Sequence, residues 1–145
     1  MNGGFFMVFQ GGYMTRKEAR EWVIKYLYSR TFQDQCEESL EDFLEHQALD
    51  QTEIEYMRSV VAGVEGNLQS IDQDIEKYLR SWTTSRIPKL DLAILRAAVF
   101  EIKYSEDIPT GVAINEAVEI AKKYSTDDSY RFINGVLGAI AREDA

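Results

Sequence analysis

The amino-acid sequence predicts an all-α domain, on three observations. Apolar residues recur at steps of three and four along most of the chain, which is the period of a helix with one buried face. No segment shows the alternation of a half-buried strand, and the only two prolines, Pro88 and Pro109, fall between the predicted helices. We expect about seven helices, arranged as two small bundles packed around a buried fifth helix.

The first helix follows Thr15, which forms a capping box with Glu18. Its predicted core-facing residues are Ala19, Trp22, Val23, Tyr26 and Leu27. A second, shorter helix is expected over residues 37–47, where the spacing turns three apolar side chains inward. These are Leu40, Phe43 and Leu44.

The third and fourth helices share one apolar series that steps by three and four residues. The series is Ile54, Met57, Val61, Val64, Leu68, Ile71, Ile75, Tyr78 and Trp82. Thr52 and Glu55 repeat the capping box at the start of the third helix. Two glycines and an asparagine between residues 63 and 67 predict a break, beyond which Ser70 and Gln73 cap the fourth helix.

The fifth helix, from Leu90 to Tyr104, is apolar on nearly every side, which indicates a central, buried position. Arg96 lies within it. Because an unpaired buried guanidinium is costly, we favour a carboxylate partner such as Glu116 over a direct role in binding. Two amphipathic helices then follow, joined by a polar turn over residues 125–128. Their apolar stripes are Val112, Ala113, Ala117, Val118, Ala121 and Tyr124, then Phe132, Ile133, Val136, Leu137 and Ile140.

Charge is unevenly distributed along the chain, whose formal net charge is −9. Residues 34–79 carry two basic and thirteen acidic groups, whereas residues 16–31 carry five basic and two acidic groups. A negative total by itself argues against nucleic-acid binding, so the first helix is a local exception.

Composition favours a soluble cytoplasmic protein. Cys36 is the only cysteine, which excludes an intrachain disulfide and favours a reducing compartment. The apolar, glycine-rich start lacks the features of a signal peptide, and no apolar run reaches the length of a membrane span. We interpret residues 1–14 as a disordered extension, with Met14 a candidate original start, and residues 15–145 as one helical domain.

The chain offers little that catalysis uses. Its one histidine, His46, lies four residues from Asp42, and two ligands do not make a metal site. There is no glycine-rich phosphate loop and no nucleophile elbow. We therefore expect no enzyme, no cofactor and no metal.

The first helix carries the most informative charges. Arg16 and Lys17 occupy its first positions, where the helix dipole disfavours cations by about 0.3–1 kcal/mol each, so we interpret them as functional residues that folding does not explain. One outer face carries Lys17, Arg20, Ile24 and Tyr28, with Lys25 at its border. Cations beside an aromatic ring suit single-stranded RNA, and a plain solvated helix face is the alternative.

Several segments resemble one family closely. TRKEAREWVIKYLYS, IEKYLRSW, LDLAILRAAVFEI, INEAVEIAKKYS and FINGVL resemble, in order, segments of the NusB family of bacterial transcription antitermination factors, over nearly all of residues 15–141. The resemblance implies two three-helix bundles with an additional helix. It also implies binding to the boxA element of nascent ribosomal RNA leaders together with NusE, a small-subunit ribosomal protein, which suppresses premature termination by RNA polymerase. Some members of the family form homodimers.

The resemblance also implies site residues. On the RNA surface it puts Arg16, Lys17, Arg20, Tyr28, Asp128 and Phe132, with Lys25 adjoining. On the NusE-facing surface it puts Asp91 and, less specifically, Tyr78 and Trp82, which fit the core stripe as well. Glu18 departs from the family, because a basic residue is common at that position.

Two other functions stay open. A helical adaptor would bind NusE or another protein without needing the basic residues of the first helix. A NusB-like module also forms part of a ribosomal RNA cytosine methyltransferase, although after residue 145 this sequence leaves no room for a methyl-donor domain.

Overall fold

The computed structural model describes residues 14–32, 39–45, 49–80 and 83–144, so Cys36, His46 and Trp82 lie outside the described residues. These ranges contain seven α-helices, a short 3-10 turn (Thr84–Arg86) and no strand, which confirms the all-α prediction. None of the helices is long and apolar enough to cross a membrane. The helices are α1 (Arg16–Arg30), α2 (Leu40–Glu45), α3 (Gln51–Gly66), α4 (Leu68–Glu76), α5 (Lys89–Tyr104), α6 (Thr110–Tyr124) and α7 (Asp127–Asp144).

Helix α5 lies at the centre of the domain, as its composition predicts. It packs against α1, α3, α4, α6 and α7. Three of its side chains, Ile94, Leu95 and Val99, have no solvent exposure. The arrangement of the outer helices as two three-helix bundles stays a prediction.

The apolar stripes pack mostly as predicted. All five core-facing residues predicted for α1 are buried, and so are Phe43 and Leu44 of α2. The stripe is wrong at Leu68 and Val112, which are 39% and 44% exposed, because each lies at the beginning of a helix. Met14 is buried in the core, which moves the start of the packed domain one residue ahead of the predicted boundary.

The predicted caps are right at α1 and wrong at α3. The Thr15 hydroxyl accepts from the backbone N–H of Glu18 at 3.1 Å, and the Glu18 carboxylate accepts from the backbone N–H of Thr15 at 2.8 Å. Helix α3 begins before Thr52. Its N-cap is Asp50, whose carboxylate accepts from the N–H of Glu53 at 3.0 Å. The N-cap of α3 is therefore Asp50, whereas the predicted N-cap was Thr52, two residues later.

The predicted break between α3 and α4 is confirmed, but its capping is not. Asn67 separates the two helices, and its side-chain amide donates to the backbone carbonyl of Gly63 at 2.8 Å. The hydroxyl of Ser70 lies 3.1 Å from that of Tyr104, which commits it to α5. The expected cap by Ser70 and Gln73 is therefore wrong, since the carboxamide of Asn67 ends the preceding helix instead.

Arg96 is partly buried and has the carboxylate partner that was expected, but the partner is not the one predicted. Its Nε and Nη2 donate to the two oxygens of Asp72 at 2.9 and 2.8 Å. Glu116 instead accepts from Lys17 at 3.4 Å. The paired geometry joins α4 to α5 through a planar, two-point contact, which is the arrangement that suits a guanidinium best.

Helices α3 and α5 approach each other closely at Gly63. A Cβ atom at this position would lie 2.0 Å from Cε1 of Phe100, whose ring stacks on Tyr104 at 5.8 Å between centroids. Only a residue without a side chain leaves room for that ring. Gly66, one turn further along the same helix, has open space around it.

We expect Gly63→Ala to lower the free energy of unfolding by about 1–3 kcal/mol, because the ring of Phe100 must leave its packed position. Gly66→Ala is the matched control and should leave stability unchanged or raise it by up to about 1 kcal/mol, through helix propensity alone. Urea unfolding followed by circular dichroism measures both. Equal stability of the two variants would contradict the close approach.

Candidate nucleic-acid interface

Each of the three cations predicted at the beginning of α1 is paired with a carboxylate from a different helix. The pairs are Arg16–Glu53 of α3 at 2.6 Å, Lys17–Glu116 of α6 at 3.4 Å and Arg20–Glu101 of α5 at 3.3 Å. The interpretation that folding does not explain Arg16 and Lys17 is therefore wrong. Neighbouring carboxylates offset the unfavourable charge at this helix end.

Arg20 does not lie on an outer face. It is 9% exposed and Ile24 is 4% exposed, because side chains of α5 and α6 close over this part of α1. Its partner Glu101 is also buried. The predicted continuous outer face from Lys17 to Tyr28 is thus wrong at its middle, where the helix faces the core.

Tyr56 of α3 holds the two arginines together. Its ring centroid lies 4.1 Å from the guanidinium carbon of Arg16 and 5.6 Å from that of Arg20. Its hydroxyl donates to Glu101 at 3.0 Å. Burial, and then the negative charge of Glu101, raise the pKa of Tyr56, so the hydroxyl stays protonated and keeps donating. The sequence analysis did not identify Tyr56. The one local indication of its role was that this aromatic residue directly precedes Met57, a predicted core residue.

The residues predicted to bind RNA on α1 differ in their exposure to solvent. The side chains of Arg16 and Lys17 are 36% and 61% exposed. Lys25 is partly buried, with its Nζ 4.2 Å from the ring of Trp22. Tyr28 is also partly buried and meets the ring of Phe32 edge-on. Of the α1 residues predicted to bind RNA, Arg16 and Lys17 are therefore the best placed to meet a polyanion.

The beginning of α7 supplies the other residues that the resemblance implied. Asp128 is exposed, and Phe132 is partly buried against the core. Between them in the sequence, Tyr130 has two cations close to its ring. Nζ of Lys122 lies 5.1 Å and the guanidinium carbon of Arg131 lies 5.3 Å from the Tyr130 ring centroid. The sequence analysis did not identify these three residues. Lys122 lies in the last turn of α6, where the helix dipole alone accounts for a lysine.

Two grooves connect these elements. The α1–α6 groove is lined by Lys17, Glu21, Glu119, Ile120, Lys122 and Lys123. Nζ of Lys123 donates to Glu21 at 3.1 Å, and the Tyr124 hydroxyl donates to the same carboxylate at 2.7 Å. The α6–α7 groove is lined by Gly111, Ile114, Asn115, Val118, Lys122, Tyr130, Arg131 and Asn134. Lys122 belongs to both grooves, so the two grooves adjoin at this residue.

Of the residues predicted to face a protein partner, Asp91 and Tyr78 lie in the described part of the chain, and each forms hydrogen bonds within the domain. Asp91 is 2% exposed and accepts from the hydroxyls of Ser125 at 2.9 Å and Ser129 at 2.7 Å. Its assignment to an exposed partner surface is wrong, because two serines of the α6–α7 turn solvate the carboxylate inside the domain. Tyr78 is partly buried and its hydroxyl donates to Glu143 of α7.

Comparisons with known proteins agree along the whole described domain. The NusB family model matches residues 17–142. The transcription antitermination protein NusB of Thermoanaerobacter sp. (strain X514) is 46% identical over 132 residues, which are 90% of this chain and 93% of the relative.

Solved structures agree as well. NusB of T. maritima superposes with a TM-score of 0.81 at 37% identity, over 91% of this chain and 94% of the other. A chain from a crystal structure of the antitermination factors NusB and NusE in complex with dsRNA has a TM-score of 0.77 at 26% identity, over 88% of this chain and 96% of the other. The protein described here belongs to the NusB family.

Proposed function

We propose that this protein is a transcription antitermination factor that binds RNA together with NusE and has no catalytic activity of its own. Its relatives carry the name of antitermination proteins, and one solved neighbour contains NusB, NusE and dsRNA. The observation in the molecule that carries the proposal is the surface formed by Arg16 and Lys17 at the start of α1 and by the two grooves that adjoin at Lys122, one of which is lined by Tyr130 and Arg131. It combines exposed cations with an aromatic ring, as RNA binding requires.

The chemistry assigns a role to each part of this surface. Arg16, Lys17, Lys122 and Arg131 would contact phosphates, and Tyr130 or Phe132 would stack on an unpaired base. Lys25, Tyr28 and Asp128 would adjoin the bound strand. Arg20 would act from within the domain, by holding Tyr56 and Glu101 in place beneath Arg16.

The RNA that the family resemblance favours is the boxA element of a nascent ribosomal RNA leader. A factor that acts on nascent bacterial transcripts beside RNA polymerase would work in the cytoplasm. Because Arg16, Lys17 and Arg20 each already have a carboxylate partner, RNA must compete with those carboxylates, and affinity without NusE should be low. The same pairing favours the second candidate function, a protein-binding adaptor that does not recognise RNA.

An RNA titration with and without NusE distinguishes the two functions. We expect a preference for boxA over a scrambled sequence, strengthened by NusE, with a slope of log affinity against log salt near about −3 for four phosphate contacts on a single strand. Lys17→Ala should make that slope shallower by about 0.7. Arg58→Ala is the matched control, since Arg58 also pairs with a carboxylate but does so between α2 and α3. NusE binding without any boxA preference would favour the adaptor.

Glu116→Gln should increase RNA affinity. The substitution removes the carboxylate that holds Lys17, and an exposed pair of this kind contributes at most about 1 kcal/mol, so we expect a gain of up to about fivefold. Fluorescence anisotropy with labelled boxA RNA measures it. Glu41→Gln, which releases Arg58 in the same way, should leave affinity unchanged. A loss of affinity in Glu116→Gln would mean that the pair positions Lys17 for RNA.

Arg20→Ala should lower the free energy of unfolding by about 3–5 kcal/mol, because it leaves the buried Glu101 without its cation. Lys17→Ala, at an exposed pair, should change it by less than about 1 kcal/mol. Urea unfolding of both variants provides the comparison. An Arg20→Ala variant of normal stability that no longer bound RNA would show a direct contact instead of an internal one.

A further inference from the structure

We propose that the α6–α7 groove is a pocket for one unstacked RNA base, in which the side-chain amides of Asn115 and Asn134 read the edge of that base. The inference rests on the proposed function and adds a site of sequence recognition to it. Cations and a stacking ring would bind any strand, whereas the two amides would select among bases.

The two asparagines face the same groove from neighbouring helices. Asn115 lies on α6 and Asn134 on α7, and both line the α6–α7 groove. Both are exposed. Within the ranges that the structure describes, neither side-chain amide has a hydrogen-bond partner. Packing of the domain therefore makes no use of these groups.

Helix formation does not account for the asparagines either. Asparagine is among the weaker helix formers, and both positions lie inside long helices where alanine would be favoured. Each belongs to a segment that marks the family, INEAVEIAKKYS and FINGVL, of which the apolar residues explain only the packing. Two exposed amides that converge on one groove point to a ligand with hydrogen-bonding edges.

The rest of the groove fits a base. Its volume is about 420 Å³, within the range of roughly 300–1,000 Å³ typical of small-ligand sites. Ile114 and Val118 supply an apolar wall, and the ring of Tyr130 supplies a stacking surface. Unpaired RNA bases are bound in this way, by stacking on an aromatic side chain and by hydrogen bonds along an exposed edge.

The groove lies on the path of the strand. Lys122 lines both this groove and the α1–α6 groove that begins at Lys17. A strand whose phosphates follow the cations from α1 would reach Lys122 and Arg131, whose cationic groups lie 5.1 and 5.3 Å from the centre of the Tyr130 ring. At that point a single base can turn into the groove while its phosphates stay with the cations. This charge arrangement favours a nucleic-acid occupant over an apolar protein segment.

An abasic scan of boxA RNA in the presence of NusE tests the pocket. Each nucleotide in turn is replaced by an abasic one, and affinity is measured for the wild type and for the double variant Asn115→Ala/Asn134→Ala. We expect one position at which base removal weakens wild-type binding by about tenfold or more. In the double variant, removal of the same base should reduce affinity by less than half of the wild-type factor. Gln69→Ala/Gln73→Ala, two exposed amides on α4, is the matched control and should keep the wild-type profile.

The outcomes separate the pocket from the function on which it rests. Both double variants should fold normally, since alanine replaces exposed helix residues. A wild-type protein that fails to bind boxA with NusE would overturn the proposed function and the pocket together. Normal boxA binding with an identical abasic profile in wild type and Asn115→Ala/Asn134→Ala would overturn the pocket alone. Weakened binding of NusE itself by that double variant would also overturn it, in favour of a protein contact.

Discussion

The burial of charged groups on α5 is the constraint on which the rest of the structure depends. Asp91, Arg96 and Glu101 are spaced by five residues, and at about 100° per residue this turns each one by about 140° from the last. The three groups therefore point to three sides of the central helix. Asp91 meets the α6–α7 turn, Arg96 meets α4, and Glu101 meets α1 and α3. A buried charge is tolerated only when it is paired, so these contacts also fix how the outer helices are oriented.

The same requirement determines the electrostatics of the surface. Glu53 and Glu116 hold Arg16 and Lys17 in place, but they also occupy these cations before any polyanion arrives. On a chain with a net charge of −9, such pairing weakens binding to phosphates in general. Affinity must then come from contacts that only the correct RNA makes, with bases and with a bound partner. Weak non-specific attraction to phosphates therefore favours specificity, because few unpaired cations are available to an unrelated RNA.

Local patterns predicted the elements of the fold, and tertiary packing determined their partners. Periodicity identified α5 as central, and the Thr15 cap needed only four residues of sequence. The partner of Arg96 could not be predicted, because Asp72 and Glu116 are both acidic residues at plausible helix positions, and only the packing of α4 on α5 decides between them. The burial of Asp91 could not be predicted for a related reason. A carboxylate in the first turn of a helix is normally solvated by water, and here two serines replace that water.

At the candidate site, the residues that folding explains and those that it leaves unused are the opposite of those expected from the sequence. Arg16 and Lys17 attracted attention because folding did not explain them, yet each has a structural partner. Asn115 and Asn134 passed as ordinary parts of two helices, yet neither contributes to packing or, within the described residues, to hydrogen bonding. A helical sequence pattern identifies apolar faces and charged helix ends. It gives no indication of neutral polar residues that come together from separate helices. Residues that the fold leaves unused can be recognised only after the fold has been described.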